Sequence, residues 1–294
     1  MTRTNADRVL AALAFCTERD LQVFEWLYDH QVLTIGQIAA MVFNSRSAAQ
    51  ERLLRLYRLG MLERFRLLQS PQVGWHYVLD RLGTEVIAAR RGDPTPRPST
   101  VAEQRRRIAT NRQLQHTLGV NQFFADLIVY ARHHDNAALL RWWSEVQCCE
   151  PLRFGAVSMH RVRADGHGVF VEGKRRVAFF LEYDRGTESL SVLADKADRY
   201  GELVAQGGPA WPVLFFLPDR TREDGLHHLL RRRPPTTPVA TAVRNELAAQ
   251  QTVADSVWRP VGNAEHRHRL VALGALGDRP DERALSRLDR RPTW

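Results

Sequence analysis

Val177-Ala-Phe-Phe-Leu-Glu-Tyr-Asp-Arg-Gly-Thr-Glu188 decides how the larger part of this chain is read. Val177, Phe179, Phe180 and Leu181 are residues a buried strand needs, and Gly186 breaks the run. Glu182, Asp184 and Glu188 then crowd its end beside Arg185. Carboxylates at the mouth of a buried strand are costly unless a cation meets them there. A metal ion or a phosphate-binding site is therefore the question the neighbouring sequence has to answer.

Upstream, Ala138 to Trp143 and Val157 to Val162 read as extended, and Arg163-Ala-Asp165-Gly-His-Gly-Val-Phe170 leads to a turn at Glu172-Gly-Lys-Arg-Arg176. A hairpin there would bring Asp165 close to Glu182 and Asp184. Downstream, Ser189 to Gly201 has helical spacing, with Leu190, Leu193, Ala197 and Tyr200 on one side and Lys196 near them. Trp211 to Leu217 is a buried strand stopped by Pro218. A Thr100–Glu103 capping box, the basic run Arg105 to Arg107 and a long amphipathic pattern through Leu114, Leu118, Phe124 and Ile128 precede all of this. Helix, three strands, helix and strand give a mixed sheet flanked by helices. Asp165 and Glu182 are hard oxygen ligands suited to Mg²⁺ or Mn²⁺, with waters and a substrate phosphate completing the shell.

The N-terminal third is built differently. Thr17 with Asp20, Thr34 with Gln37 and Ser47 with Gln50 each predict a capped helix. Gly60 stands where a left-handed C-cap belongs. Met61 to Leu68 and Trp75 to Leu79 read as two strands around a turn, and Arg81 to Arg90 as a closing helix. Three helices and a hairpin are the order of a winged helix-turn-helix, whose third helix enters the major groove of DNA. Arg46, Arg55, Arg58, Arg64 and Arg66 would then contact phosphates and Gln50 a base edge. The bland alternative is a solvated basic face, and winged helices also serve as protein-protein modules. Because they often pair on DNA, a homodimer is one expectation. Gly92 to Thr100, rich in proline and polar residues, reads as a linker. The expected division is a DNA-binding domain over 1–91, a linker over 92–100, a second domain over 101–273 and a poorly ordered tail over 274–294.

Composition bounds the function. The formal net charge is +9 over 294 residues, and the sequence pI is near 10.1. That balance favours a polyanion as partner, nucleic acid first. No run approaches the roughly 18 apolar residues of a membrane span, and the first residues lack the apolar core of a secretion signal, so a cytoplasmic protein without membrane contact is expected. Three cysteines, with no C-x-x-C spacing, exclude a disulfide framework and a cysteine zinc site and read as buried thiols. His133-His134, His227-His228 and His266-Arg-His268 lack a convergent acid or cysteine and read as solvated helix ends or loops. Val239 to Ala249 reads as a helix, and Ser256 to Trp258 and Arg269 to Leu273 as short strands.

Arg163-Ala-Asp165, Phe180-Leu-Glu-Tyr-Asp-Arg-Gly-Thr-Glu188 and Lys196-x-x-x-Tyr200 resemble the replication-relaxation proteins of actinobacterial plasmids and other mobile elements. The likeness runs from Thr17 to about Trp258. It implies an α+β chain in which the winged helix-turn-helix precedes a domain similar to the PD-(D/E)XK nucleases, whose fold is a restriction-endonuclease-like mixed α/β sheet. It also implies double-stranded DNA as partner, with replication or conjugation proteins as further partners. Asp165 matches the first acid of the nuclease motif and Glu182 the second, but the motif's lysine falls on Asp184. Lys196, on the following helix, is the candidate replacement, Arg185 a second source of charge, and Tyr200 resembles the helix motif of that group. The functional reading has Asp165, Glu182 and Asp184 hold the metal while Lys196 or Arg185 faces the phosphate. The alternative pairs Asp184 with Arg185 and Lys196 with Glu188, in a domain that binds DNA without cutting it.

Overall fold

The computed structural model describes residues 5–67, 71–149, 162–262 and 266–277. The chain forms two compact units, Met1–Ala125 and Asp126–Trp294.

The first unit opens with α1 (Asn5–Phe15), α2 (Glu18–His30), β1 (Leu33–Thr34), α3 (Ile35–Val42) and α4 (Arg46–Arg58). Two capping boxes form where the sequence predicts them. Thr17 and Asp20 exchange backbone and side-chain hydrogen bonds at the start of α2, and Thr34 and Gln37 do so at the start of α3. The third helix starts earlier than expected: Ser45, not Ser47, is its N-cap and accepts from the Ala48 amide at 3.2 Å. Ser45 has extended backbone angles whereas Ser47 already lies in the first turn, so only the former aims its hydroxyl at the free amides. Gly60, with φ of 71°, turns the chain after α4 as a left-handed cap.

Next come β2 (Leu62–Phe65), β3 (His76–Leu79), α5 (Arg81–Arg91), α6 (Pro98–Thr110) and the start of α7 (Leu114–Arg132). The strands form a three-stranded antiparallel sheet in the order β1-β3-β2, with Leu33 opposite Tyr77 and Leu62 opposite Leu79. The expected turn between the strands falls partly outside the described residues. Helix α6 does not open at a Thr100–Glu103 box. Pro98 leads it with Arg97 as an N-cap that makes no side-chain bond, because proline tolerates the first turn, where its missing N–H is not needed. The expected linker therefore turns helical at Pro98. Ile108, Leu114 and Leu118 pack on Val32 and Val78, and Asn121 donates to the carbonyls of His30 and Val32 at 3.2 and 2.7 Å. These contacts tie α6 and the first half of α7 to the first unit.

In the second unit, α7 is followed by β4 (Ala137–Ser144), α8 (Glu145–Cys148), β5 (Gly166–Glu172), β6 (Arg175–Tyr183), α9 (Leu190–Ala205), β7 (Val213–Leu217), α10 (Arg220–Arg232), β8 (Val239–Val243) and β9 (Arg259–Pro260). Six strands form one mixed sheet in the order β4-β5-β6-β7-β8-β9. The pairs β4/β5, β5/β6 and β8/β9 are antiparallel, and β6/β7 and β7/β8 parallel. The chain is thus an α+β protein with helices and a mixed sheet, as expected. Its core packs Ala178 and Phe180 of β6 and Val213, Phe215 and Leu217 of β7 against Leu193, Ala197, Tyr200, Leu226 and Leu230 of α9 and α10.

Several local readings are corrected. Residues 239–243 form a strand rather than a helix, because Val239 to Val243 are all buried beside β7 and β-branched residues suit that position. The helix Arg220–Arg232 stands where no element was expected, N-capped by Asp219. Trp258 makes an isolated bridge to His268, and Leu270–Ala275 is a 3-10 turn rather than a strand. Gly274 of that turn lies so close to β6 that a Cβ would sit 2.3 Å from the Arg176 carbonyl, so the expected tail is packed at its start. Residues 278–294 lie outside the described residues, as do 157–161 of the expected extended stretch. Among the described residues, no helix is long and apolar enough to cross a membrane.

Candidate functional site

The end of β6 gathers the charged residues of the deciding stretch. Alternation along the strand points Ala178, Phe180 and Glu182 toward α9. The hairpin with β5 sets Asp165 opposite: its amide donates to the Leu181 carbonyl at 3.0 Å, and its Oδ2 accepts from the Tyr183 amide at 2.7 Å. Glu182 is 2% exposed. The Tyr200 hydroxyl, one face of α9, donates to its Oε1 at 2.6 Å. One turn earlier on the same face, the Lys196 Nζ stands 3.1 Å from Glu182 Oε2 and 2.9 Å from Glu188 Oε2.

The electrostatics follow from this crowding. Burial and then the nearby charge of Asp165 raise the Glu182 carboxyl to about 7, against the pull of Lys196. Burial alone would lower the Lys196 pKa, but Glu182, Glu188 and Asp165 outweigh it and hold the ammonium above its ordinary value. Burial and Glu182 together push the Tyr200 hydroxyl well up, so it acts as a donor. Glu182 and Glu188 thus share the Lys196 ammonium, with the charge of Asp165 acting on both Glu182 and Lys196. Carboxylates are the ligands a hard divalent cation takes, and two suffice for Mg²⁺ when waters and phosphate complete the shell. Among the described residues, no three His, Cys, Asp or Glu side chains come together as a metal cage.

Asp184 is held elsewhere. Its carboxylate is paired with Arg222 of α10, through Nε and, at 3.1 Å, through an Nη, and accepts from the Gly186 amide at 2.9 Å. Arg222 also donates to the Glu188 carbonyl at 2.6 Å. Arg244 lies over the Tyr183 ring, 4.3 Å from its centroid, and donates to the carbonyls of Asp184 and Phe216 at 2.7 and 2.6 Å. Two arginines from beyond β7 therefore clamp the strand end that bears Glu182. Arg185 is exposed and is not the partner of Asp184. The structure brings together Asp165, Glu182, Lys196 and Tyr200, adds Glu188, and leaves Asp184 and Arg185 outside that cluster. Neither Arg222 nor Arg244 was singled out by sequence reasoning; only a helix signal at Asp219 to Arg232 could have drawn attention to the first.

In the first unit, Arg46 and Gln50 are exposed one turn apart on α4, as is Arg58 near its end. Arg46 Nη2 would lie 3.3 Å from a Cβ at Gly74. Arg64 and Arg66 both stack on the Trp75 ring, their Cζ atoms 4.0 and 4.2 Å from its centroid. Arg55 leans instead on Phe15 of α1, at 4.7 Å. Arg46, Arg64 and Arg66 are thus brought together near the β2–β3 hairpin and Arg55 is not.

Among the described residues, the remaining histidines and cysteines form no further metal cluster. His227 is buried and bonds Thr241 through Nε2 at 2.8 Å rather than facing solvent; burial first, then Arg259, lowers it to about 4. His133 and His134 engage carbonyls at the end of α7 through Nδ1, each at 2.8 Å. Cys148 is a buried thiol, whereas Cys16 and Cys149 are only partly covered.

No curated protein and no solved structure matches the chain. The family model described as replication-relaxation matches residues 24–217. That span takes in the second half of α2, α3, α4, the hairpin, and Asp165, Glu182, Lys196 and Tyr200, and by this match the chain belongs to the replication-relaxation family.

Proposed function

We propose that this protein acts on DNA in the replication or relaxation of a plasmid or other mobile element. Its first unit is a winged helix-turn-helix that holds double-stranded DNA, and its second a PD-(D/E)XK-like domain that nicks a strand with Mg²⁺ or Mn²⁺. The family description supports the replication theme. One observation carries the chemistry: Lys196 reaches Glu182 at 3.1 Å from a helix, although the strand position where such a nuclease has its lysine is Asp184. A buried carboxylate, a tyrosine and a lysine converging at a strand end cost desolvation energy that packing alone does not require.

Asp165 and Glu182 would hold the ion, which when bound supplies charge neutralisation at the scissile phosphate and an activated water. Tyr200 fixes the orientation of Glu182 by donating to Oε1, leaving Oε2 as the oxygen directed at the shared cation position. Lys196, with Glu188 as its second carboxylate, is the cation available to the transferring phosphate. Arg222 and Arg244 keep the strand end rigid, so the acids are positioned before substrate arrives.

A second reading is favoured by a specific observation. Glu182 Oε1 is taken by Tyr200, Oε2 lies against the Lys196 ammonium and Asp184 is committed to Arg222, which suits a domain that binds DNA without cleaving it. Supercoiled plasmid incubated with Mg²⁺ or Mn²⁺ separates the two. Nicking by the wild type is expected to fall at least ~100-fold in Asp165→Ala, Glu182→Gln and Lys196→Met, with duplex binding retained. Binding without nicking under either metal would leave only the second reading.

A further inference from the structure

The arginines of the first unit fall into two groups. Arg52, Arg81, Arg91 and Arg105 are ion-paired, to Asp20, Glu85, Asp29 and Asp80 among others. Among the described residues, Arg46, Arg64, Arg66 and Arg106 form no ion pair. Arg64 lies over both Trp75 and Tyr57, at 4.0 and 4.6 Å, and Arg66 over Trp75 at 4.2 Å.

Stacking occupies the face of a guanidinium and leaves its in-plane N–H edge for polar partners, the edge that binds phosphate in a bidentate fork; Arg64 spends part of that edge on the Tyr77 hydroxyl. Arg64 and Arg66 are two residues apart on extended chain, about 6.6 Å, close to the separation of neighbouring phosphates along one strand of DNA. Gathering uncompensated cations around one indole is repulsive by itself, and a polyanion relieves that repulsion. The Arg46 guanidinium beside Gly74 adds a third charge at the hairpin.

Behind the hairpin, a depression of about 290 Å³ is lined by Arg64, Phe65, Glu63, Arg105, Arg106 and Val78, among others. Arg105 is committed to Asp80 there, while Arg106 on α6 is exposed. The basic surface therefore does not stop at the hairpin.

We propose that Trp75 builds a phosphate clamp, in which the stacked Arg64 and Arg66 take successive phosphates of one DNA strand and the strand runs on to Arg106 of α6. The clamp rests on the reading that the first unit binds DNA, and to the phosphate contacts expected of Arg64 and Arg66 it adds the ring that sets them and the path to Arg106. Trp75, Tyr57 and Arg106 belong to this surface although neither the groove-entering helix nor the base-edge contact of Gln50 requires them.

The test is a salt titration of binding to a short mixed-sequence duplex by fluorescence anisotropy, with the full chain. Arg64→Gln, Arg66→Gln and Arg106→Gln are each expected to lower the slope of log K against log[salt] by about 0.9, one phosphate contact apiece. Trp75→Leu keeps every charge, so it should weaken binding by roughly 5-fold with a smaller change of slope. Should the wild type bind with a salt-dependent affinity and all three arginine variants keep its slope, the clamp is wrong and the DNA-binding reading stands. A wild type that fails to bind the duplex even at low salt would overturn both. The arginine variants alter exposed or half-exposed positions, so the outcome stays readable if Trp75→Leu does not fold.

Discussion

Two sets of arginines do opposite work in this molecule. In the first, Arg64 and Arg66 rest on an indole and, among the described residues, meet no acid. In the second, Arg222 is bound to Asp184, Arg267 to Glu223 at 2.6 Å and Arg269 to Glu172 at 2.8 Å. Asp184 and Glu223 are 4% and 0% exposed, so these guanidiniums compensate internal charge that water cannot reach. A net charge of +9 therefore does not by itself locate a polyanion site. What locates one is a cation whose neighbours hold it in place without neutralising it.

The largest expected effect breaks that contrast directly. Arg222→Ala leaves a buried Asp184 without its guanidinium and should cost about 3–5 kcal/mol of stability, read from urea midpoints. Arg66→Ala should stay within about 0.5 kcal/mol of the wild type. Replacing both Arg222 and Asp184 by leucine should recover most of the loss, since the cost comes from the stranded charge. Equal losses in the Arg222→Ala and Arg66→Ala proteins would dissolve the distinction between the two sets.

Two buried carboxylates sharpen it further, because they respond to pH with opposite sign. Burial would raise the Asp20 carboxyl, but hydrogen bonds from Arg52 and Thr17 outweigh it and hold it below its ordinary value. The unfolded chain then binds more protons, and the stability due to Asp20 is present above about pH 4 and lost as the pH falls. Glu182 is raised from 4.5 to about 7. Between those values the unfolded chain gives up a proton that the folded chain keeps, so stability falls as pH rises through this window and no further above it. The fall should be on the order of 3 kcal/mol. Urea midpoints between pH 4.5 and 8 should show it in the wild type and a flattened profile in Glu182→Gln. An unchanged profile in that variant would remove Glu182 as the source.

The deciding stretch was legible because its chemistry is local. An apolar run, a glycine and a cluster of acids predict the strand β6, and helical spacing puts Lys196 and Tyr200 one turn apart on α9. That is enough to bring Glu182, Lys196 and Tyr200 together once the parallel pairing of β6 and β7 sets the helix across the sheet. The fate of Asp184 was not legible, because its partner lies 38 residues on in sequence, in a helix the residue pattern did not announce. Arg185, its chain neighbour, was the wrong partner for the same reason. Val239 to Val243 was misread since a short apolar run bordered by Pro238 fits either state until β7 is there to pair with it. Trp75 was read only as the first residue of a strand, and nothing in its spacing reveals that two arginines across the hairpin will stack on it.

The smallest effect concerns how the first unit presents its unpaired cations. Ser47–Gln50 and Ser45–Ala48 are competing N-caps in sequence, both with the right spacing, and only the second is made. Ser45→Ala should therefore cost about 1 kcal/mol, while Ser47→Ala, at an exposed position already inside the helix, should be neutral or gain a few tenths. The loss falls on the first turn of α4, where Arg46 and Gln50 stand, so it acts on the proposed DNA surface without removing a charge. Duplex affinity in Ser45→Ala should drop by a few-fold at most, with the salt slope of the wild type intact. Arg64→Gln differs in kind, since it lowers the slope and leaves the helix whole. A Ser45→Ala protein that lost slope as well as affinity would mean that Arg46 contacts phosphate only from an ordered first turn, and it would move Arg46 from the margin of the stacked cluster to its centre.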